Sequence, residues 1–388
     1  MKNIYRLENQ IKHYEWGSKE ILPQFLDINN SKDIPYAEMW MGTHESAPSM
    51  TLNSGLKEIS GELPFLLKLL AVEKPLSIQA HPDKEKAIAG FNRENDEGLS
   101  VKSPARNYRD KNHKNEIICA ITPFTLMAGF REPSSVYASL EAFLSIAPQM
   151  SDAFNPLMRS LKNTKVKDSL GGFFHSLFNI SKYDMEQLCS ILLKKVEYET
   201  CIEMELSIEQ WELMKTFASL YPADPAILSP LYLNLVFLQP FQAVFLPAGI
   251  LHSYLRGFGL ELMSNSDNVL RGGLTPKYID INELTKVIKL DTYLPIVYTA
   301  DFISEKSGYS VYNYPFEDED FSLSVVKGNG AQISFPGAGP SICIVTEGEL
   351  KTGGFDFKKG ESFFVMKDRD DSVLLEGIFS LFIAAGKK

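Results

Sequence analysis

Two imidazoles, a carboxylate and an amide oxygen are the side chains best placed to do chemistry in this chain. Gln79 and His81 are one residue apart in Leu76-Ser77-Ile78-Gln79-Ala80-His81, which reads as a strand ended by Pro82. A strand's period of two sends both side chains to one face. Glu116 opens a second strand candidate, Glu116-Ile117-Ile118-Cys119-Ala120-Ile121, and His252 begins another after the turn Pro247-Ala248-Gly249. Three strands of one barrel could aim these groups at a single point. That N/O set suits Zn²⁺ with a position left open for water or substrate. Each signal alone is weak, because a lone histidine at a strand start more often packs a core or sits on the surface. The six His fall at 13, 44, 81, 113, 175 and 252, so the last third offers no imidazole to a metal.

A second constellation is basic. The loop Ser264-Asn265-Ser266-Asp267-Asn268-Val269-Leu270-Arg271-Gly272-Gly273 ends in an arginine and two glycines. Glycines allow close backbone approach to a ligand, and the arginine could bind phosphate or stabilise an oxyanion. A solvated loop with an exposed arginine is the commoner arrangement. Lys68 sits inside the apolar run from Glu62 to Leu70, which is costly unless it is paired or faces a pocket. Lys114 shares a strand face with Glu116.

The elements that must carry these groups follow a strand–helix–strand order. Residues 1 to about 130 read as short strands with turns. From about 133 to 222 the period becomes helical. Asp184-x-x-Gln187 looks like a capping box ahead of Leu188, Ile191, Leu192 and Val196, and Ser207-x-x-Gln210 opens a helix with Trp211, Met214, Phe217, Ala218 and Tyr221 on one face. After Pro230 strands return, and from about 318 their even spacing with Gly turns suggests a jelly roll or barrel. Pro240–Val365 contains a faint repeat, 240–246 against 359–365, that fits two related barrels.

Composition narrows the class. At 388 residues, 44% hydrophobic and 23% charged, the chain has room for two or three domains. Its net charge of −10 argues against nucleic acid or an anionic membrane as partner, and an anionic substrate would need a local basic pocket. The 4 Cys, at 119, 189, 201 and 343, have no C-x-x-C spacing, which disfavours a disulfide framework or a thiolate metal site. The start lacks the apolar core of a signal peptide, and prolines interrupt the apolar stretch from Leu228 to Leu255. A reduced, soluble, cytoplasmic protein is expected.

In order along its whole length the chain resembles the type I mannose-6-phosphate isomerases. The resemblance rests on Lys12-His13-Tyr14-Glu15-Trp16-Gly17, Tyr36-Ala37-Glu38-Met39-Trp40-Met41-Gly42-Thr43-His44 and Pro64-Phe65-Leu66-Leu67-Lys68. It continues through Leu76–Pro82, Asn112-His113-Lys114-Asn115-Glu116, Pro247–Gly249 with His252 and Tyr254, Asn265–Arg271 and Gly273-Leu274-Thr275-Pro276-Lys277. It implies one Zn²⁺ held by Gln79, His81, Glu116 and His252, and interconversion of mannose 6-phosphate and fructose 6-phosphate. It also implies a mainly β fold of two cupin-like jelly-roll barrels with an inserted α-helical domain. The corresponding boundaries are 1–132 with 228–300 for the catalytic barrel, 133–227 for the helices, and 301–388 for a second barrel without a metal site.

Roles follow as expectations. The family's essential arginine falls on Arg271, which would stabilise charge on the enediolate. Lys68 and Ser77, with Arg131, would hold the phosphate, and Tyr254 would join the substrate site. The base could be Glu261, Lys114 or His113, and Asp267 could relay protons or orient Arg271. His13, His44 and His175 read as structural; Trp16 and Trp40 could wall the pocket or pack the core. Three departures from the family pattern are Asn115 for Pro, Glu15 for Asp and Gly272 for Ala; none removes a ligand. A sugar phosphate is the expected partner and a monomer the favoured state. Two rivals keep the scaffold: a non-catalytic two-barrel sugar-phosphate binder, and a metal-dependent dioxygenase, whose iron usually takes a more His-rich set.

Overall fold

The computed structural model describes residues 3–194, 207–306, 308–330, 332–336, 339–366 and 373–387. Val196 and Cys201 lie outside them.

The strand Phe65–Val72 is buried along its whole length. A strand apolar on both sides must be covered on both faces, and two different cores do so. Phe65, Leu67, Leu69 and Ala71 join a core with Ile342, Ile344, Phe364 and Phe382 of a second sheet. Leu70 and Val72 point the other way, to Ile118, Leu126 and Val244. By period two, Lys68 shares this inner side.

Two antiparallel sheets and a helical region make up the fold. Along the main path of the eleven-stranded sheet lie Val297–Thr299, Gln242–Leu246, Glu116–Ala120, His252–Ser264, Phe65–Val72, Glu38–Gly42 and Gln10–Lys12. The nine-stranded sheet runs Ile4–Leu7, Ser362–Val365, Ser341–Thr352, Leu374–Gly386, Phe321–Asn329, Tyr309–Asn313 and Asp301–Lys306. In each, a short strand (Gln242–Leu246; Ser362–Val365) precedes a 13-residue strand (His252–Ser264; Leu374–Gly386). In each, an earlier strand is hydrogen-bonded between the two. The faint sequence repeat falls on these equivalent positions.

Several local expectations change. Ile4–Leu7 pairs with Ser362–Val365, so the first strand of the chain belongs to the second sheet. The strand expected over 76–81 shortens to Gln79–Ala80. A 13-residue helix, Lys84–Asp96, stands where turns were expected; the Asp83 side chain accepts the Lys86 N–H and caps it. The helix Lys182–Leu192 is capped by Ser181, which accepts the Asp184 N–H, rather than by Asp184. The Ser207/Gln210 capping box is present, opening Ile208–Leu220. The helices between Pro133 and Leu220 bury Phe143, Phe154, Phe173, Phe174, Trp211 and Phe217 together. Among the described residues no helix is long and apolar enough to cross a membrane.

The inter-sheet core gives a direct stability test. Leu69→Ala, at 0% exposure, should cost about 2–5 kcal/mol in denaturant unfolding. Leu52→Ala, at 91% exposure, should leave the midpoint unchanged.

A candidate metal centre in a charged cavity

One long strand, His252–Ser264, pairs with the strands that carry Gln79 and Glu116. His252, the first residue of its strand, is the cross-strand partner of Gln79 and of Ala128. At the far end of the same strand Met263 pairs with Glu116. His81 Nε2 lies 3.1 Å from Glu116 Oε1, and His252 Nε2 lies 3.1 Å from Glu116 Oε2. All three residues are at most 2% exposed.

These close atoms do not satisfy one another. His81 Nε2, His252 Nε2 and Glu116 Oε1 are buried without a hydrogen-bond partner. The distances are short but the directions fail, because the donor atoms converge on a common point. The other ring nitrogens are committed: His81 Nδ1 is 2.7 Å from the Asn268 carbonyl and His252 Nδ1 is 2.9 Å from the Ile250 carbonyl. A carbonyl only accepts, so each Nδ1 carries the proton and each Nε2 presents a lone pair. This is how a protein prepares histidine for a metal. Burial, reinforced by the nearby Lys114 ammonium, pushes the His81 imidazole down to about 4, which keeps it neutral. Burial alone would raise the Glu116 carboxyl, but the adjacent Lys114 ammonium opposes this and holds it well below the usual range. His81, Glu116 and His252 together could hold a metal ion, with the Gln79 amide alongside.

The centre lies at the wall of a cavity of about 770 Å³. Gln79, Glu116, Lys68, Ser77, Lys114, Tyr254, Glu261, Asp267 and Arg271 all line it, with Trp16 and Trp40. Lys68 and Glu261 face each other across neighbouring strands, and Lys68 Nζ donates to Glu261 Oε2 at 2.9 Å. Burial works against the Lys68 charge, but Glu261 and then Glu38 outweigh it and hold the ammonium firmly protonated. Lys68 also sits 4.8 Å above the Trp40 ring. It therefore has a carboxylate partner as well as a place on the cavity wall. Lys114 Nζ lies 2.8 Å from Glu116 Oε1. Tyr254 OH donates to Glu116 Oε2 at 3.3 Å.

Two expected site residues stand elsewhere. Arg131 donates to Ser139 Oγ and to the Leu231 carbonyl, and lines a separate cavity with Gln210, Asn234 and Leu294. It follows a strand end leading into the helices, so its side chain braces that junction. His113 turns from the cavity to Asp320, at 3.0 Å. Asp267 pairs with His44 Nε2 at 3.2 Å rather than with Arg271, so the buried His44 backs a residue of the cavity wall.

Sequence reasoning missed Arg109 and the role of Lys277. Both line the cavity beside Arg271. Burial and the Arg109 charge lower Arg271; burial, then Arg271 and Arg109, lower Lys277. Among the described residues none of the three is in an ion pair with a carboxylate. Three cations lining one cavity with no carboxylate at ion-pair distance favour an anion there. The Asn268 side chain builds it, accepting the Arg109 and Asp110 N–H groups and donating to the Asp110 and Asn112 carbonyls. A buried asparagine in a polar loop was the one available signal.

Comparison with known proteins places this geometry. The family model for phosphomannose isomerase type I, catalytic domain, matches residues 4–60 and 56–133. Mannose-6-phosphate isomerase of Escherichia coli is 33% identical over 385 residues, spanning 93% of this chain and 94% of that protein. The chain belongs to the type I mannose-6-phosphate isomerase family. The human mannose-6-phosphate isomerase is 29% identical across 84% of this chain and 83% of its own. Among solved structures, the apo mannose 6-phosphate isomerase of Salmonella typhimurium superposes with a TM-score of 0.85 at 32% identity, covering 100% of both chains. A zinc-bound holo mannose 6-phosphate isomerase gives 0.85 at 31%, again over 100% of both. The isomerase family thus shares this chain's fold from end to end.

The convergence predicts metal retention. His252→Ala and Glu116→Ala should each lower bound zinc, measured by elemental analysis after dialysis, from about one per chain to less than about a tenth. Arg131→Met should leave zinc at the wild-type level.

Proposed function

We propose that this chain is a Zn²⁺-dependent aldose–ketose isomerase interconverting mannose 6-phosphate and fructose 6-phosphate. One observation carries the reading: Glu116, which converges with His81 and His252 on three unpartnered buried atoms, walls the same cavity as Arg109, Arg271 and Lys277. A sugar phosphate has the matching polarity, hydroxyls and carbonyl at one end and a dianion at the other. Gln79, His81, Glu116 and His252 would hold the ion. When bound, Zn²⁺ supplies a Lewis acid toward the oxygens of the open-chain sugar.

The chain's own groups divide the remaining work. A proton must leave C2 and arrive at C1, or the reverse, while an oxygen gains charge. Glu261 could accept that proton only by giving up its ion pair with the buried Lys68 ammonium, which is expensive. Lys114 carries no such obligation once Glu116 serves as a ligand, so we assign the proton transfer to Lys114. The Lys68–Glu261 pair positions the wall beside it. Arg271, the cross-strand partner of Gln79, stabilises developing charge at the reacting end. Arg109 and Lys277, with Ser77, hold the phosphate. Asp267, braced by His44, supports proton movement to the sugar's ring oxygen during opening. Tyr254 fixes the Glu116 carboxylate and completes the wall.

The same reading extends to architecture and setting. We take the two sheets as two cupin-type barrels, with 1–132 and 228–300 catalytic, 133–227 helical and 301–388 forming the second barrel, to which Ile4–Leu7 adds a strand. A cytoplasmic monomer fits the net charge of −10 and three described cysteines that are buried and unpaired. Nucleic acid is disfavoured as partner by the same charge. A non-catalytic binder would have no use for Lys114 at 2.8 Å from a metal-ligand carboxylate.

A coupled assay of fructose 6-phosphate formation tests the reading, with chelator treatment and zinc add-back. Activity should vanish on chelation and return with zinc; zinc-loaded protein that leaves mannose 6-phosphate unchanged contradicts it. Arg271→Ala should keep zinc and lose kcat by about 100-fold. Arg109→Ala should instead raise KM by about tenfold or more with kcat nearly kept. A pure KM effect for Arg271→Ala would move that residue to ground-state binding.

A further inference from the structure

We infer that the acidic turn Glu317-Asp318-Glu319-Asp320 of the second sheet is a positioning element for Lys114, acting through the residues on either side of it. The inference rests on the reading above that Lys114 transfers the proton. His113 and Asn115 flank Lys114 and turn away from the cavity, and both meet this turn. His113 Nε2 lies 3.0 Å from Asp320 Oδ2. Asn115 Nδ2 donates to Asp318 Oδ2 at 2.8 Å.

The turn is a firm anchor. Asp318 Oδ1 accepts the N–H groups of Asp320 and Phe321, at 2.8 and 3.2 Å. Lys387 Nζ donates to the Asp318 carbonyl at 2.8 Å, and Lys387 N to the Asp320 carbonyl at 2.9 Å. Phe321, the next residue, is fully buried in the inter-sheet core. The loop end is equally constrained. Asn115 Oδ1 accepts the Ala248 N–H at 2.9 Å. The Asn115 carbonyl accepts the Ser264 N–H at 2.9 Å, and its N–H donates to Ser264 Oγ at 3.3 Å. Every polar group of Asn115 is therefore used, and its side chain joins the second sheet to the turn that leads into His252. With both neighbours fixed, Lys114 has little freedom except along its own stem. That holds Nζ at 2.8 Å from Glu116 Oε1. The second sheet has no histidine to offer a metal, and this contact gives it a part in the chemistry.

The Asn115–Asp318 pair can be exchanged without changing net charge. Asn115→Asp alone sets two carboxylates face to face. Combined with Asp318→Asn, it restores a donor and an acceptor across the gap, and the carboxylate introduced by Asn115→Asp can still accept from Ala248. The experiment uses full-length, zinc-loaded enzyme and measures kcat, KM, zinc content and melting temperature. Asn115→Asp should lose kcat by about tenfold or more, with KM within about twofold and zinc retained. The double exchange should recover kcat to within about threefold of wild type. Undiminished kcat in Asn115→Asp overturns the proposal. So does a loss the exchange does not repair in protein of normal zinc content and melting temperature. If Asn115→Asp fails to fold, a double-mutant cycle of Asn115→Ala and Asp318→Ala decides: coupled effects on kcat support the clamp and additive ones overturn it. Lys114→Met runs beside these. If it keeps wild-type turnover, the proton-transfer assignment fails, whatever the clamp does; if it is inactive while Asn115→Asp is unimpaired, only the clamp fails.

Discussion

A carboxylate 1% exposed in the wall of a cavity is the constraint on which this structure turns. Removing Glu116 from water costs several kcal/mol unless other charges and donors compensate. Lys114 and Tyr254 supply part of that compensation, and the two imidazole nitrogens beside it present lone pairs rather than protons. The arrangement stays short of donors at its centre, which is why a cation belongs there. A protein holding lone pairs and a carboxylate this close has to resist their separation. The resistance comes from backbone carbonyls gripping each Nδ1, and from strands buried on both faces.

The alternation of strand side chains makes the core and the site one object. Leu67 and Leu69 point into the inter-sheet core, so Lys68 must point into the cavity. The same holds for Leu260 and Leu262 around Glu261, and Ile117 and Cys119 commit Glu116 to the inner side. A slip of one residue would put the charges between the sheets and the leucines in the cavity. Register is therefore held by two energies of the same sign, apolar burial on one face and ion pairing on the other. The second sheet earns its place by covering the first, and its apolar face is the reason the catalytic strands can carry charge on their other side.

The strand–helix–strand order was legible because it depends on short-range periodicity: the shift from period two to helical period near 133 separates the helical block. His81, Glu116 and His252 stood out singly as weak signals, and only the family resemblance joined them into a set. What was not legible depends on long-range partners. Nothing local distinguishes Arg109 from Arg131, yet Asn268 carries the first to the cavity while Ser139 and Leu231 hold the second at a helical junction. Ile4–Leu7 reads as a strand without revealing which sheet accepts it. The helix Lys84–Asp96 buries only Ala87, Gly90 and Glu94, so its apolar periodicity was too sparse to announce it. Lys68 signalled a pocket or a partner, and the structure shows that it has both.

An overall charge of −10 and an anionic substrate look opposed until the cavity is considered by halves. At the metal end, carboxylates are matched by lysines: Glu261 by Lys68, Glu116 by Lys114. At the other end burial and then the Arg109 charge lower Arg271, and burial, then Arg271 and Arg109, lower Lys277, so positive charge is concentrated there. Low-dielectric walls focus such an excess, so a dianion meets a favourable field inside an acidic surface. Bringing these cations together costs free energy in the empty protein, and an arriving phosphate relieves it. On the function proposed above, an anion held among the three would direct the substrate's carbonyl end toward His81, Glu116 and His252. Orientation of this kind is what a proton transfer between adjacent carbons needs, and a surface arginine cluster without a second, metal-binding pole could not provide it.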